Sequence, residues 1–413
     1  MVDIVYMKLE DGKFFNVKEL DEIWDNSYFM REFDNISDFV SNEVNLLDVE
    51  EGMWPVNPFV MILDGDDISI ILDYLENEKI LISDLQDNKC RVIVTIKEGG
   101  VNEDGYTYYE FEGMSPDYKY SRGSLDHFIQ KNKIPKGNVI WMTPEYLIDN
   151  EQQKDFSFVQ KFFNKWELQL DSIKQEYYHP YMLDIFKNGR NFSRPKYFYC
   201  VSSSPRGHRL DLINFLTDND LLKCGNATFF SNAHGEIENE EFQVLGGRDL
   251  KFDSEYYWEG RDKTGDESYL PTYAINITQC FNSYFHLLTG SIFEIDENYK
   301  FPYIFFNEKI WKAMITLQPF IFIGQPNTLS MVKRFGFKTF HPFIDESYDG
   351  ELNNEKRKLL IYDEIKRLCS MSIEDMDKWF WDMEDILIHN YNRLTEYGYE
   401  HYDEFIALLK EKI

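Results

Sequence analysis

The stretch Phe305–Phe340, FFNEKIWKAMITLQPFIFIGQPNTLSMVKRFGFKTF, switches between helical and extended apolar patterns over short connections, and this constrains the fold more than any other part of the chain. Ile310, Trp311, Met314 and Leu317 recur at the spacing of one helical face. Pro319 stops that helix, Phe320–Ile323 is a continuous apolar run suited to a strand buried on both faces, and Gly324-Gln325-Pro326 makes a turn. A second helix follows, with Asn327 or Thr328 to cap its first turn, Leu329, Val332 and Phe335 on one face, and Gly336 where a left-handed cap belongs. Phe337–Phe340 then returns as a strand. The succession is αβαβ, half of a doubly wound sheet, and the predicted class is α/β.

Sheets of this kind bind ligands beyond the carboxyl ends of their strands, where helix N-termini offer unpaired N–H groups and partial positive charge. Asn307-Glu308-Lys309 lies at such a place. A carboxylate that accepts two ribose hydroxyls beside an ammonium that meets a phosphate is a nucleotide-holding pair. The same residues also suit a simpler role, Glu308 favouring the first helical turn through the dipole and Lys309 being solvated.

Other segments extend the α/β reading. Phe59–Leu63, Arg91–Ile96 and Val139–Met142 are strand candidates, with helices at Ile68–Leu75 and around Leu125–Lys131. Phe39, Val40, Val44 and Leu47 have helical spacing, and Phe156–Phe163 with Trp166, Leu170 and Ile173 predicts a long amphipathic helix. Phe186–Pro195 has the look of an interdomain linker. From there the charge balance inverts: Lys187, Arg190, Arg194, Lys196, Arg206 and Arg209 occur in a run without an acid, in a chain whose net charge is −30. Tyr197–Val201 predicts a buried strand, Ser202–Pro205 a turn and Leu210–Leu216 a helix, which puts Arg206, His208 and Arg209 at a strand-to-helix junction suited to phosphate. Neutralisation of neighbouring Asp211 or Asp218 is the alternative use of these arginines. Asn232–Tyr273 is polar and reads as a long loop over the cleft. Glu355–Leu368 is helical, Ser372-x-x-Asp375 resembles a capping box, Ile373, Met376, Phe380, Met383 and Leu387 hold one face as far as Gly398, and Tyr402–Leu409 closes the chain as a helix.

The strong negative charge argues against a nucleic-acid or anionic-membrane partner, since either is drawn by basic patches. No apolar segment reaches the length of a membrane span and no leader pattern opens the sequence, so the expected location is cytoplasmic. Five cysteines without C-x-x-C spacing read as free thiols, with neither a zinc site nor a disulfide framework.

The order apolar strand, Asn307-Glu308-Lys309, helix, Pro319, apolar strand is similar to the donor-binding element of fucosyltransferase-like and exostosin-like GT-B glycosyltransferases, where Thr or Ser stands in place of Asn307. More closely, the chain resembles a group of glycosyltransferases, many of them viral, that continue with Gly-Phe-Lys-Thr-Phe and Ile-Asp-Glu-Ser-Tyr-Asp, here Gly336–Phe340 and Ile344–Asp349. The resemblance covers Tyr197 to about Asn390. It implies two Rossmann-like domains facing across a cleft: 1–187 on the acceptor side, 188–370 binding a nucleotide-sugar donor, and C-terminal helices in 371–413. It also implies a host-cytoplasm location if the source is viral. Pro205-Arg206-Gly207-His208-Arg209 resembles the element opening the family's donor domain, and so implies phosphate contacts for Arg206 and Arg209, with His208, Asn307, Glu308 and Lys309 completing the donor site. The implied reaction transfers sugar to a glycan or glycosylated acceptor without metal or cofactor, Glu98 at a strand end serving as base. One departure stands out: Leu288-Thr289-Gly290 replaces the family's Val-Thr-Glu, losing a carboxylate. Two alternatives accompany this reading. Asp64-Gly65-Asp66 at a strand end suits a metal-held diphosphate of GT-A type, or equally turn and N-cap chemistry. A non-catalytic nucleotide- or glycan-binding relative is the other.

Overall fold

The apolar runs in the first part of the chain become adjacent strands of one twisted sheet. The computed structural model describes residues 2–10, 13–15, 44–47, 54–56, 58–65, 68–96, 122–143, 145–147, 157, 159–162, 180–192, 194–202, 206–229, 275, 277–295, 303–305, 308–397 and 407. They fall into two units, one of Met1–Asn164, Phe301–Tyr303 and Tyr399–Ile413 and the other of Lys165–Lys300 and Ile304–Gly398.

In the first unit the strands are β1 (Val2–Glu10), β2 (Lys13–Phe15), β3 (Val44–Leu46), β4 (Phe59–Gly65), β5 (Cys90–Ile96), β6 (Val139–Thr143) and β8 (Val159–Phe162), with a short β7 (Glu145–Leu147) after β6. The parallel order is β3-β1-β4-β5-β6-β8, and β2 pairs antiparallel with the end of β1. Val5, Met61, Val92 and Val139 form one cross-strand row in this register. They pack on Ile71, Leu75, Leu81, Leu85, Leu125 and Phe128 from α1 (Ile68–Asn77), α2 (Lys79–Gln86) and α3 (Arg122–Lys131). Ile4, Val60, Ile62, Ile93 and Ile140, which point the other way, are equally buried. Burial of both faces is why these strands read as continuous apolar runs.

The second unit is built on β9 (Lys196–Ser202), β10 (Gly225–Phe229), β11 (Ser283–Thr289) and β13 (Phe320–Ile323), all parallel in the order β10-β9-β11-β13. Around them lie α4 (Pro180–Asn188), α5 (Gly207–Asp218), α6 (Ile277–Phe281), α7 (Glu308–Ile315), α8 (Thr328–Arg334), α9 (Asn354–Cys369), α10 (Ile373–Trp381) and α11 (Glu384–Glu396), while β12 (Tyr303–Phe305) pairs with β7. The chain leaves β9 for β10 on one side, then crosses to β11 on the other. The strand order therefore reverses between β9 and β11, and this topological switch point is where such sheets open a crevice at their carboxyl ends.

Several expectations are corrected. Val44 belongs to a strand, not a helix, and Val159–Phe162 is a parallel strand beside β6 where a long helix was expected. Phe186–Pro195 is no linker: Phe186 is fully buried against Phe380 and Trp381, and Arg194 is buried too. Phe337–Phe340 does not pair as a strand; its backbone is held by side chains, Lys338 N donating to Asn390 Oδ1 at 2.8 Å and Phe340 N to Glu346 Oε1 at 2.5 Å. The face from Ile373 to Leu387 is broken at Asp382–Met383 into two helices. The C-terminal helices α10 and α11 belong to the second unit. Asn232–Tyr273 and most of Tyr402–Leu409 lie outside the described residues, and no helix among those described is long and apolar enough to cross a membrane.

Candidate functional site

The carboxyl ends of β9 and β11 are tied together by Ser202 Oγ and Thr289 Oγ1, 2.9 Å apart and both buried. Beyond this pair the two chains diverge into α5 on one side and the segment Gly290–Ile295 on the other. Arg206, in extended conformation at φ −133 and ψ 150, is the N-cap residue of α5, and its carbonyl accepts from Arg209 N and Leu210 N. No side chain among the described residues caps α5. Its first N–H groups and the positive end of its dipole thus face the switch point.

Three cations converge there. Arg206 Nη1 donates to the carbonyl of Ser291, and Arg209, only 2% exposed, donates from Nη2 to the carbonyl of Gly290 at 3.0 Å. Lys309, in the first turn of α7, is near enough for its charge to act on His208 and on the Cys200 thiol. His208 Nε2 lies 3.1 Å from the same Gly290 carbonyl, which accepts and so makes Nε2 the protonated nitrogen. Burial, reinforced by Arg209, Arg206 and Lys309, holds the His208 pKa well below the ordinary 6.5. The ring is therefore neutral, and it stacks on Phe293 at 5.6 Å. Cys200 is no nucleophile: burial pushes its thiol up to about 12 despite the opposing pull of Arg209 and Lys309.

Gly290 explains the departure noted in sequence. A Cβ at this position would meet Phe322 Cζ at 3.0 Å, Ile292 O at 3.1 Å and Gly324 Cα at 3.2 Å. A side chain here would require these neighbours to give by a few tenths of an ångström, and the Gly290 carbonyl lies within hydrogen-bond reach of both His208 and Arg209.

The basic run does not act as one cluster. Arg190 pairs with Glu384 and lies 4.9 Å over the Trp381 ring. Arg194 donates to the carbonyls of Phe281 and Ser283, both at 2.9 Å, and lies 4.3 Å from the centre of the Phe380 ring. Burial lowers its pKa to about 10. Lys196 donates to the carbonyl of Lys223. These three hold the second unit together at the amino end of β9, and only Arg206 and Arg209 reach the carboxyl end. Asp211, the suggested balance for Arg209, is engaged by Lys358 at 2.9 Å.

The two motifs carrying the family resemblance are joined to each other. Glu346 accepts from Thr339 Oγ1 at 2.7 Å and from Phe340 N, while the Tyr348 hydroxyl meets Phe322 N at 3.3 Å. Asp349 accepts from Leu329 N at 2.9 Å and Ser330 N at 3.0 Å, which makes Asp349, rather than Asn327 or Thr328, the cap of α8. Asn327 is in the left-handed region at φ 66 and makes no side-chain cap. The start of α8 is already occupied by a carboxylate of the protein itself.

Glu308 opens α7 as expected. Glu98, Asn307 and Asp66 lie outside the described residues, and Asp64 stands near the carboxyl end of β4. Reasoning from sequence missed the Ser202–Thr289 pair and Phe293, together with Arg357, whose guanidinium lies 4.5 Å over the Phe293 ring. The only signal for them was the glycine at 290.

No protein-family model matches the chain, and no curated protein matches it. Among solved structures it is similar to a trehalose-6-phosphate protein from E. coli bound with UDP-2-fluoro glucose, at 9% identity and a TM-score of 0.41 over 97% of this chain and 87% of that one. It is also similar to an alpha1,3-fucosyltransferase with GDP-fucose, at 13% identity and a TM-score of 0.38 over 100% and 92%. Both likenesses are distant.

Proposed function

We propose that the second unit binds a nucleotide sugar and that the protein is a glycosyltransferase of GT-B type. The observation that carries this is the convergence of Arg206, Arg209 and Lys309 on the uncapped start of α5 at the β9/β11 switch point. Guanidinium groups bind a diphosphate in two-point fashion and stabilise the charge that develops as it leaves, a task that needs no metal. In the proposed reaction an acceptor hydroxyl oxygen bonds to the anomeric carbon and the sugar–phosphate bond breaks. Its electron pair departs on the diphosphate, and the hydroxyl proton passes to a carboxylate, for which Glu98 is the candidate. Asn307 and Glu308 hold the nucleoside, Glu308 by accepting ribose hydroxyls. Neutral His208 positions Arg209 through their shared carbonyl. The acceptor is a glycan or glycosylated molecule, and the protein acts in the cytoplasm.

The test is nucleoside-diphosphate affinity by calorimetry for the wild type, Arg209→Lys and Arg209→Ala, each with an unchanged melting profile. Lys keeps the charge but loses the planar fork, so its affinity is expected to fall by roughly tenfold or more. Three equal affinities would remove Arg209 from the site. Binding without transfer or slow hydrolysis of any nucleotide sugar would leave a binding protein rather than an enzyme.

A further inference from the structure

Glu294 is an acid placed beside the cationic site and unused by it. Its Oε1 lies 3.9 Å from where a Cβ on Gly207, the first residue of α5, would stand. The side chain is exposed and makes no hydrogen bond or ion pair with any described residue, so it does not cap the helix beside it. The backbone on either side is fixed nonetheless. Ile295 N donates to Asn354 Oδ1 at 3.1 Å and Asn354 Nδ2 returns a bond to Ile295 O at 3.0 Å. Arg357 donates to the Phe293 carbonyl and covers its ring, whose other contact is the stacked His208. Ile292 and Phe293 are buried. The charge of Glu294 acts on Arg357, which covers the neighbouring Phe293 ring, but its oxygens take no hydrogen bond from a described residue. An exposed carboxylate on an immobilised segment, beside a helix start that carries Arg206 and Arg209, is placed to act on the ligand.

A carboxylate accepts hydrogen bonds from hydroxyl groups and repels a phosphate. We infer that Glu294 is a specificity-determining residue of this site: it accepts from hydroxyls of the group carried beyond the diphosphate and repels a third phosphate there, selecting a diphosphate ester of a polyol over a nucleoside triphosphate. This rests on the reading of Arg206, Arg209 and Lys309 as the diphosphate site. It gives that site a means of rejecting triphosphates, which the three cations alone would favour.

The experiment uses the full chain and calorimetry with adenosine, guanosine, uridine and cytidine diphosphates, the matching triphosphates and the matching diphosphate-hexoses. Wild type, Glu294→Gln and Glu294→Lys are compared, each checked by its melting profile and expected to fold, since Glu294 is exposed and takes no hydrogen bond from a described residue. In Glu294→Gln the triphosphate gains about three- to tenfold relative to the diphosphate, and Glu294→Lys extends the gain. The diphosphate-hexose loses affinity relative to the diphosphate in both. Unchanged ratios in both variants, with the wild type binding diphosphate, would overturn the role of Glu294 and leave the site standing. Failure of the wild type to bind any diphosphate would overturn the site itself and this inference with it.

Discussion

Replacing Gly290 by alanine probes the site without touching a charge. The new methyl group would stand 3.0 Å from Phe322 Cζ, 3.1 Å from Ile292 O and 3.2 Å from Gly324 Cα, and two of these three neighbours are backbone atoms that give way little. Overpacking of this kind costs about 1–3 kcal/mol. In a unit of this size, that corresponds to roughly 2–10 °C in melting temperature. The carbonyl of residue 290 must move with its Cα, and it is the acceptor shared by His208 at 3.1 Å and Arg209 at 3.0 Å. Misplacing a binding group by a fraction of an ångström weakens what it positions, so diphosphate affinity is expected to fall several-fold, up to about tenfold. Gly290→Glu carries the same Cβ and adds a longer, charged side chain beside it, and is expected to be the worse of the two in both measurements. Thermal melts and calorimetry on the same preparations provide the readout. A Gly290→Glu protein as stable as wild type would show that the strand end relaxes freely and would refute the argument.

Three further outcomes are expected. Lys309→Ala and Glu308→Ala should each weaken diphosphate or nucleotide-sugar binding by about ten- to a hundredfold, the worth of a charge-assisted hydrogen bond, with unchanged melting; calorimetry checks both. Donor binding should survive excess chelator and weaken as salt rises, because cationic side chains rather than a metal meet the phosphates; strict dependence on magnesium or manganese would move attention to Asp64. Asp349 gives a pH prediction: burial raises its pKa from 3.8 to about 6 against the opposing bonds from Leu329 N and Ser330 N. Its protonation thus favours the folded state, a contribution fully present below about 3.8 and lost as pH rises through about 6, so wild type should gain on Asp349→Asn by about 1–3 kcal/mol between pH 7 and pH 4, read from urea midpoints.

What was legible in the sequence were the strands whose apolar runs are bounded by turn residues, such as Phe59–Gly65 and Phe320–Ile323. The central strand β11 was not, because Ser283, His286 and Thr289 interrupt its apolar pattern although every residue in it is buried. Two of the three are satisfied in three dimensions, Thr289 pairing with Ser202 and Ser283 Oγ donating to Gln279 O at 2.9 Å, while His286 sits edge-on to Tyr199 with its Nε2 buried and without a hydrogen-bond partner. Burial pushes His286 down to about 3, so it stays neutral. The basic run misled for a related reason. Arg194 and Arg206 are neighbours in sequence, but the seven-residue strand between them carries the chain about 20 Å, which puts one at each end of the sheet. Conversely, the motifs that made the family resemblance visible, Gly336–Phe340 and Ile344–Asp349, hold the fold by bonding to each other.

Helix starts in the second unit supply the remaining step. Asp349 closes α8, Asn353 accepts from Lys356 N at 2.9 Å to close α9, and Ser372 accepts from Asp375 N at 3.1 Å to close α10. A capping side chain is worth about 1 kcal/mol, and each of these three helix starts has one. The start of α11 lacks one too, but it follows α10 through a two-residue turn, with Ile386 N and Leu387 N both returning to the Met383 carbonyl. At α5 the N-cap position is instead given to Arg206, a residue that cannot accept the helix N–H groups and whose charge opposes the dipole. An anion that accepts from the helix and pairs with Arg206, Arg209 and Lys309, as in the proposed site, would offset both costs together. A protein variant with a cap restored, Arg206→Asp, is accordingly the converse of the wild type: a more stable α5 and a site that no longer takes a diphosphate.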